Sequence, residues 1–206
     1  MRSITKSLLA LALLAGISAP ALAESTLTTG TGTPLTAAAR VDFQITVPKV
    51  LYLRVGTGTA GATNTAVNLI DFAVPASQVG NGTAIAASAA SGDLANGSVT
   101  ARVIGNNGNV TLTSTTVGAL SNGAGDTISY GQIGTAATTL TSATALPAPA
   151  LADGATTTTT VAAVNKIVNR DAQWTYSYAN SAVVAPGTYG GVNTQNGRVT
   201  YTASMP

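Results

Sequence analysis

Histidine and cysteine are both absent from this chain of 206 residues. Without them the Ser-His-Asp and Cys-His nucleophile systems cannot be built, nor can the common zinc ligand sets. Disulfides are excluded as well, so stability must come from a packed core, for which the chain is long enough. Charge is equally scarce: 8% of residues are ionisable Asp, Glu, Lys or Arg, far below the quarter usual in globular domains. The few charges are scattered singly, with no basic stripe to neutralise phosphates, so nucleic-acid binding lacks its main source of affinity. The six aspartates are dispersed, and nothing in their spacing pairs two of them as glycosidases require. A Ser-Lys dyad using Lys49 or Lys166 has no surrounding motif. This inventory predicts a protein that is not an enzyme and that needs no metal and no cofactor.

What is present begins with a leader. Arg2 and Lys6 precede an apolar run from Leu8 to Ile17, and Ala21 and Ala23 stand at −3 and −1 before Glu24. A cationic start, a short apolar run and small residues at the cleavage positions describe a secretory signal peptide over residues 1–23. The run is too short to span a bilayer, and no later segment is long and apolar enough to do so. The expected product is therefore exported to the periplasm, cell surface or extracellular space, and is not membrane-spanning. Cleavage would remove Arg2 and Lys6, leaving seven bases against seven acids and no net charge.

Residues 24–40 open with a Thr/Gly-rich stretch and are expected to form a flexible N-terminal segment. From Leu35 the odd positions read Leu35, Ala37, Ala39, Val41, Phe43, Ile45 and Val47, with Arg40, Asp42, Gln44 and Thr46 between the later ones. This period of two is that of a strand with one buried face. Two readings stay open. Val41 to Val47 is either the first strand of the chain's own sandwich, or part of a thirteen-residue strand lent to the open sheet edge of another subunit. After Pro48 the same phase resumes at Leu51, Leu53 and Val55.

Further strands are predicted over 67–74, 98–104, 110–117, 127–133, 160–168, 173–179 and 198–204, and no mature segment shows a helical apolar period. Asn-Gly pairs lie between them, two of which predict hairpins: Asn107-Gly108 after the strand ending at Ile104, and Asn196-Gly197 before the last strand. Residues 136–160, low in complexity and including Thr156 to Thr160, are expected to be a long surface loop. Short strands punctuated by such turns predict a single antiparallel β-sandwich domain over 41–206. Gly56-Thr57-Gly58-Thr59-Ala60-Gly61 matches the dinucleotide fingerprint in letters, but no amphipathic helix follows, so a plain interstrand loop is expected.

Trp174, Tyr176 and Tyr178 alternate with polar residues and so share one face of a strand. They form either part of the core between two sheets or an exposed ring ladder on which sugars stack.

The segments Gln173-Trp174-Thr175-Tyr176-Ser177-Tyr178-Ala179-Asn180, Pro186-Gly187-Thr188-Tyr189-Gly190-Gly191 and Gly197 to Ser204 carry a resemblance. This C-terminal third resembles the end of small exported Gram-negative β-sandwich proteins of pilin-like type, with Val41 to Val47 as their early strand. The chain differs from chaperone–usher pilins in lacking their cysteine pair and in ending Met205-Pro206. The resemblance implies an Ig-like sandwich and a fimbrial or biofilm-matrix role, with the chain itself or other surface proteins as partners. The alternative is a cell-adhesion or carbohydrate-binding module using the exposed rings.

Overall fold

The structure is a computed structural model and describes residues 24–206; the leader expected over 1–23 lies outside the described residues. Contacts divide the chain after Val47, seven residues beyond the boundary expected after Arg40, and the two units are taken separately.

In the N-terminal unit the chain doubles back on itself. The Thr26 and Thr28 hydroxyls donate to the carbonyls of Ala38 and Thr36, at 2.8 and 2.9 Å. Arg40 closes the pair of arms with a two-pronged bond to the Glu24 carboxylate. No residue from 24 to 47 joins a β-ladder.

The second unit is nearly all β. Its ten strands are β1 (Leu51–Val55), β2 (Ile85–Ala86), β3 (Ser98–Gly105), β4 (Val110–Thr115), β5 (Leu120–Ser121), β6 (Thr127–Ile128), β7 (Ile133–Thr138), β8 (Thr156–Val161), β9 (Val168–Tyr178) and β10 (Thr200–Ser204). Every pairing is antiparallel. The larger sheet has β9 at its centre: β3 pairs along one edge, with β1 beyond it, and β7 pairs along the other. The two-residue β2 pairs with Tyr178 and Ser177, past the end of β3. A second sheet runs β10-β4-β8.

The two sheets enclose one core, as sandwich-like packing requires. Val99, Ala101 and Val103 on β3 and Ala172, Trp174 and Tyr176 on β9 face Val110 and Leu112 on β4 and Val161 on β8. Trp174 is fully buried, and its ring packs at 5.3 Å from that of Tyr201 on β10 in a tilted arrangement. From Val99 on β3 and from Ala172 on β9 burial alternates residue by residue, which is the physical content of the sequence periodicity.

Three sequence expectations need correction. Asn107-Gly108 does not close a hairpin: β3 lies in one sheet and β4 in the other, so the turn is a corner between sheets. Gly108 takes φ of 105° there and its N–H donates to the Lys166 carbonyl. The Asn196-Gly197 turn likewise leads into a strand that pairs with β4, not with its sequence neighbour. Residues 136–160 are not a continuous loop. They contribute the end of β7 and most of β8, and between them Leu146 is driven into the core, where its side chain is fully buried. The five threonines pair with β4 from Thr115 to Thr111. Three predicted strands are also displaced. Residues 67–74 join no ladder, and 127–133 resolves into two-residue β6, a short 3-10 turn at Tyr130–Gln132 and the start of β7. The third, 160–168, is the tight turn from the end of β8 at Val161 to the start of β9 at Val168, closed by a Val164–Ile167 bridge.

The 139–155 stretch is pinned by Asp171. This side chain projects from β9 on the face away from the core, yet is buried under the loop. Its carboxylate accepts the Thr141 and Ser142 N–H groups, both at 2.9 Å, and the hydroxyls of the same two residues. Burial by itself would raise the Asp171 pKa, but these hydrogen bonds outweigh it and hold the carboxyl well below the usual carboxylate range.

Candidate functional site: an apolar groove beside a free strand edge

Between the sheets the core is open on one side. A groove of about 830 Å³ is floored by Leu53, Val55, Val99, Ile133, Tyr176 and Tyr178. Its walls come from two stretches that hold no ladder, 66–74 and 184–192, together with Val199 and Tyr201. Ile70 and Phe72 lean onto the core from the first stretch, while Val67 and Leu69 stay exposed.

Four of the five tyrosines around the groove have their polar ends occupied. Tyr176 and Tyr201 share a hydroxyl–hydroxyl bond of 2.9 Å, Tyr130 donates to the Asn196 carbonyl at 2.7 Å, and Tyr189 donates to the Ala185 carbonyl at 2.7 Å. What they offer to an occupant is ring surface. Burial pushes the Tyr130 and Tyr176 hydroxyls up to about 12, and desolvation raises Tyr201 well above its usual value, so these three rings stay neutral far above neutral pH; the charged residues of the lining are Asp71 and Arg198.

The edge of the smaller sheet beside the groove is free. Among the described residues, β10 pairs on one side with β4 and joins no other strand. Its alternating residues send Tyr201 and Ala203 inward, and Met205 just beyond it does the same. An open apolar groove next to an unpaired edge is a site for an extended segment: main-chain bonds to the edge and alternate side chains into the groove.

The intersubunit candidates Leu35, Ala37, Ala39, Val41, Phe43, Ile45 and Val47 are all exposed, with Phe43 at 89% and Ile45 at 87%. An exposed run of apolar side chains in alternation is uncommon on a protein that ends as a monomer. Of the ring candidates, Trp174 is fully buried in the core, while Tyr176 and Tyr178, only slightly exposed, also line the groove. The Trp174 indole N–H is satisfied by the Leu146 carbonyl.

The groove lining was only partly foreseen. Val199, Tyr201 and Ala203 follow a visible alternation, whereas Tyr130 sits in a two-residue-strand region with no period to reveal it. The five aspartates of residues 48–206 each have a structural partner: Asp71 with Ser88, Asp93 with Arg54, Asp126 with Asn122, Asp153 with the Tyr130 N–H, and Asp171 with its loop. No two of them are held as a catalytic pair by these bonds. Among the described residues, no helix is long and apolar enough to cross a membrane. Comparison with protein-family models, with curated proteins and with solved structures found no match for this chain.

Proposed function

We propose that this protein is a non-catalytic, exported structural subunit of a surface filament or extracellular matrix. Its copies would be linked when residues 35–47 of one enter the groove of the next. The observation that supports this reading is a pairing of complementary features in one chain: an exposed apolar segment of period two, and an open groove beside the unpaired edge of β10. Burying Val41, Phe43, Ile45 and Val47 would contribute about 1.5–3 kcal/mol each. Main-chain bonds to β10 would add to this, set against the freedom lost on association. Neutral overall charge after leader removal lets like subunits approach without long-range repulsion.

The test compares the mature chain with Phe43→Asp/Ile45→Asp, which places unpaired charge on side chains destined for an apolar groove. Wild-type chains should form concentration-dependent oligomers by light scattering and electron microscopy. The variant should stay monomeric with an unchanged circular dichroism spectrum, because both residues are exposed in the single chain. Wild-type protein that remains monomeric at high concentration, with and without extract of the producing cells, would end this reading.

A further inference from the structure

The outer face of the smaller sheet is a lattice of hydroxyls. On β10, β4 and β8 the outward residues are Thr200, Thr202 and Ser204, then Thr111, Thr113 and Thr115, then Thr156, Thr158 and Thr160. The register sets them in three ranks across the strands: Thr200-Thr115-Thr156, Thr202-Thr113-Thr158 and Ser204-Thr111-Thr160. Neighbours lie about 4.8 Å apart across strands and about 6.8 Å apart along them. All six positions on the two flanking strands are exposed, and Thr115 is exposed on the central one. None of the nine carries charge, and eight of them are threonine.

We infer that this face docks against the same face of a second copy and joins filaments side by side. The inference rests on the filament reading above. Each hydroxyl is both donor and acceptor, so two copies of the lattice are complementary to each other without any change of chemistry. Neutral hydroxyls are cheaper to desolvate than ions, and the threonine methyls add apolar contact. The outer face of the larger sheet offers no such match, since it carries ions in place of hydroxyls: Arg54, Arg102 and Asp171 stand in one rank across β1, β3 and β9, and ions cost more to desolvate. Size decides the setting in which docking operates. Nine side chains fall well short of the roughly 20–30 residues a side of a stable interface, so free subunits pair only weakly. A filament repeats the face many times and converts weak pairing into avid bundling.

The experiment uses the full mature chain and Thr158→Lys/Thr202→Lys, both at exposed positions, with Thr158→Lys alone as the milder variant. Electron microscopy should show wild-type filaments in bundles and variant filaments lying singly. Mixing the Lys variant with Thr158→Glu/Thr202→Glu should restore bundles that neither forms alone. Wild-type filaments that lie singly at every concentration, or Lys filaments that bundle like wild type, would overturn the inference. Beads coated densely with each protein separate this outcome from the linkage of subunits. If no filaments form at all, clustering of wild-type but not Lys-coated beads still establishes the face. Wild-type beads that stay dispersed refute it.

Discussion

The indole N–H of Trp174 donates to the main-chain carbonyl of Leu146 at 2.8 Å, joining the central strand of one sheet to a loop that carries its own core residue. Both side chains are fully buried. Trp174→Phe keeps most of the ring volume but leaves that carbonyl without its partner, and should cost about 1–3 kcal/mol. Trp174→Ala also opens a cavity and should cost about 3–5 kcal/mol. Urea unfolding monitored by circular dichroism ranks the two. The single tryptophan should emit at short wavelength and resist soluble quenchers in the native protein. A red-shifted, readily quenched emission would contradict its burial.

Asp171 makes acid stability depend on a loop. Its folded pKa is depressed, so its contribution is fully present above the unfolded carboxyl pKa, near 4, and is lost as pH falls through the folded value. Asp171→Ala should therefore cost about 1.5–3 kcal/mol at pH 7. The gap between wild type and variant should narrow steadily below about pH 4. Thermal unfolding at a series of pH values checks this, and a gap independent of pH would show that the ionised carboxylate contributes nothing. The same variant should free residues 141–142 to exchange their amide hydrogens, since both N–H groups donate to this side chain.

The groove tyrosines set the alkaline limit. A tyrosine whose folded pKa is raised contributes stability that is present below the unfolded value of about 10 and is lost as pH rises through the folded one. Tyr130 and Tyr176, pushed up to about 12, together with Tyr201, should resist ionisation in the native state. Absorbance titration should then show part of the six-tyrosine signal appearing only with unfolding. Tyr201→Phe should leave Tyr176 without its hydroxyl partner while preserving the ring contact with Trp174. Titration of all six tyrosines near pH 10 in folded protein would refute the enclosed geometry.

The strands that the sequence itself reveals are those with one wet and one dry face. Ser98–Gly105, Val110–Thr115 and the second half of Val168–Tyr178 alternate in chemistry because they alternate in burial. Thr156–Val161 was hidden because threonine occupies both faces, so no period exists to be read even though the strand is fully paired. Residues 67–74 show the converse, an apolar stretch with a strand-like look that finds no ladder within the chain. Local alternation thus determined which residues favour an extended backbone and which side of it is apolar. Which strands become neighbours was decided only by the tertiary structure. Asn107-Gly108 has the same turn chemistry whether it joins adjacent strands or carries the chain from one sheet to the other. The choice fell to the core, where Trp174 and Leu146, distant in sequence, are buried together and Tyr201 packs against them, with β3 and β4 in opposite sheets. The same non-local packing left β10 with one edge unpaired and opened the groove beside it.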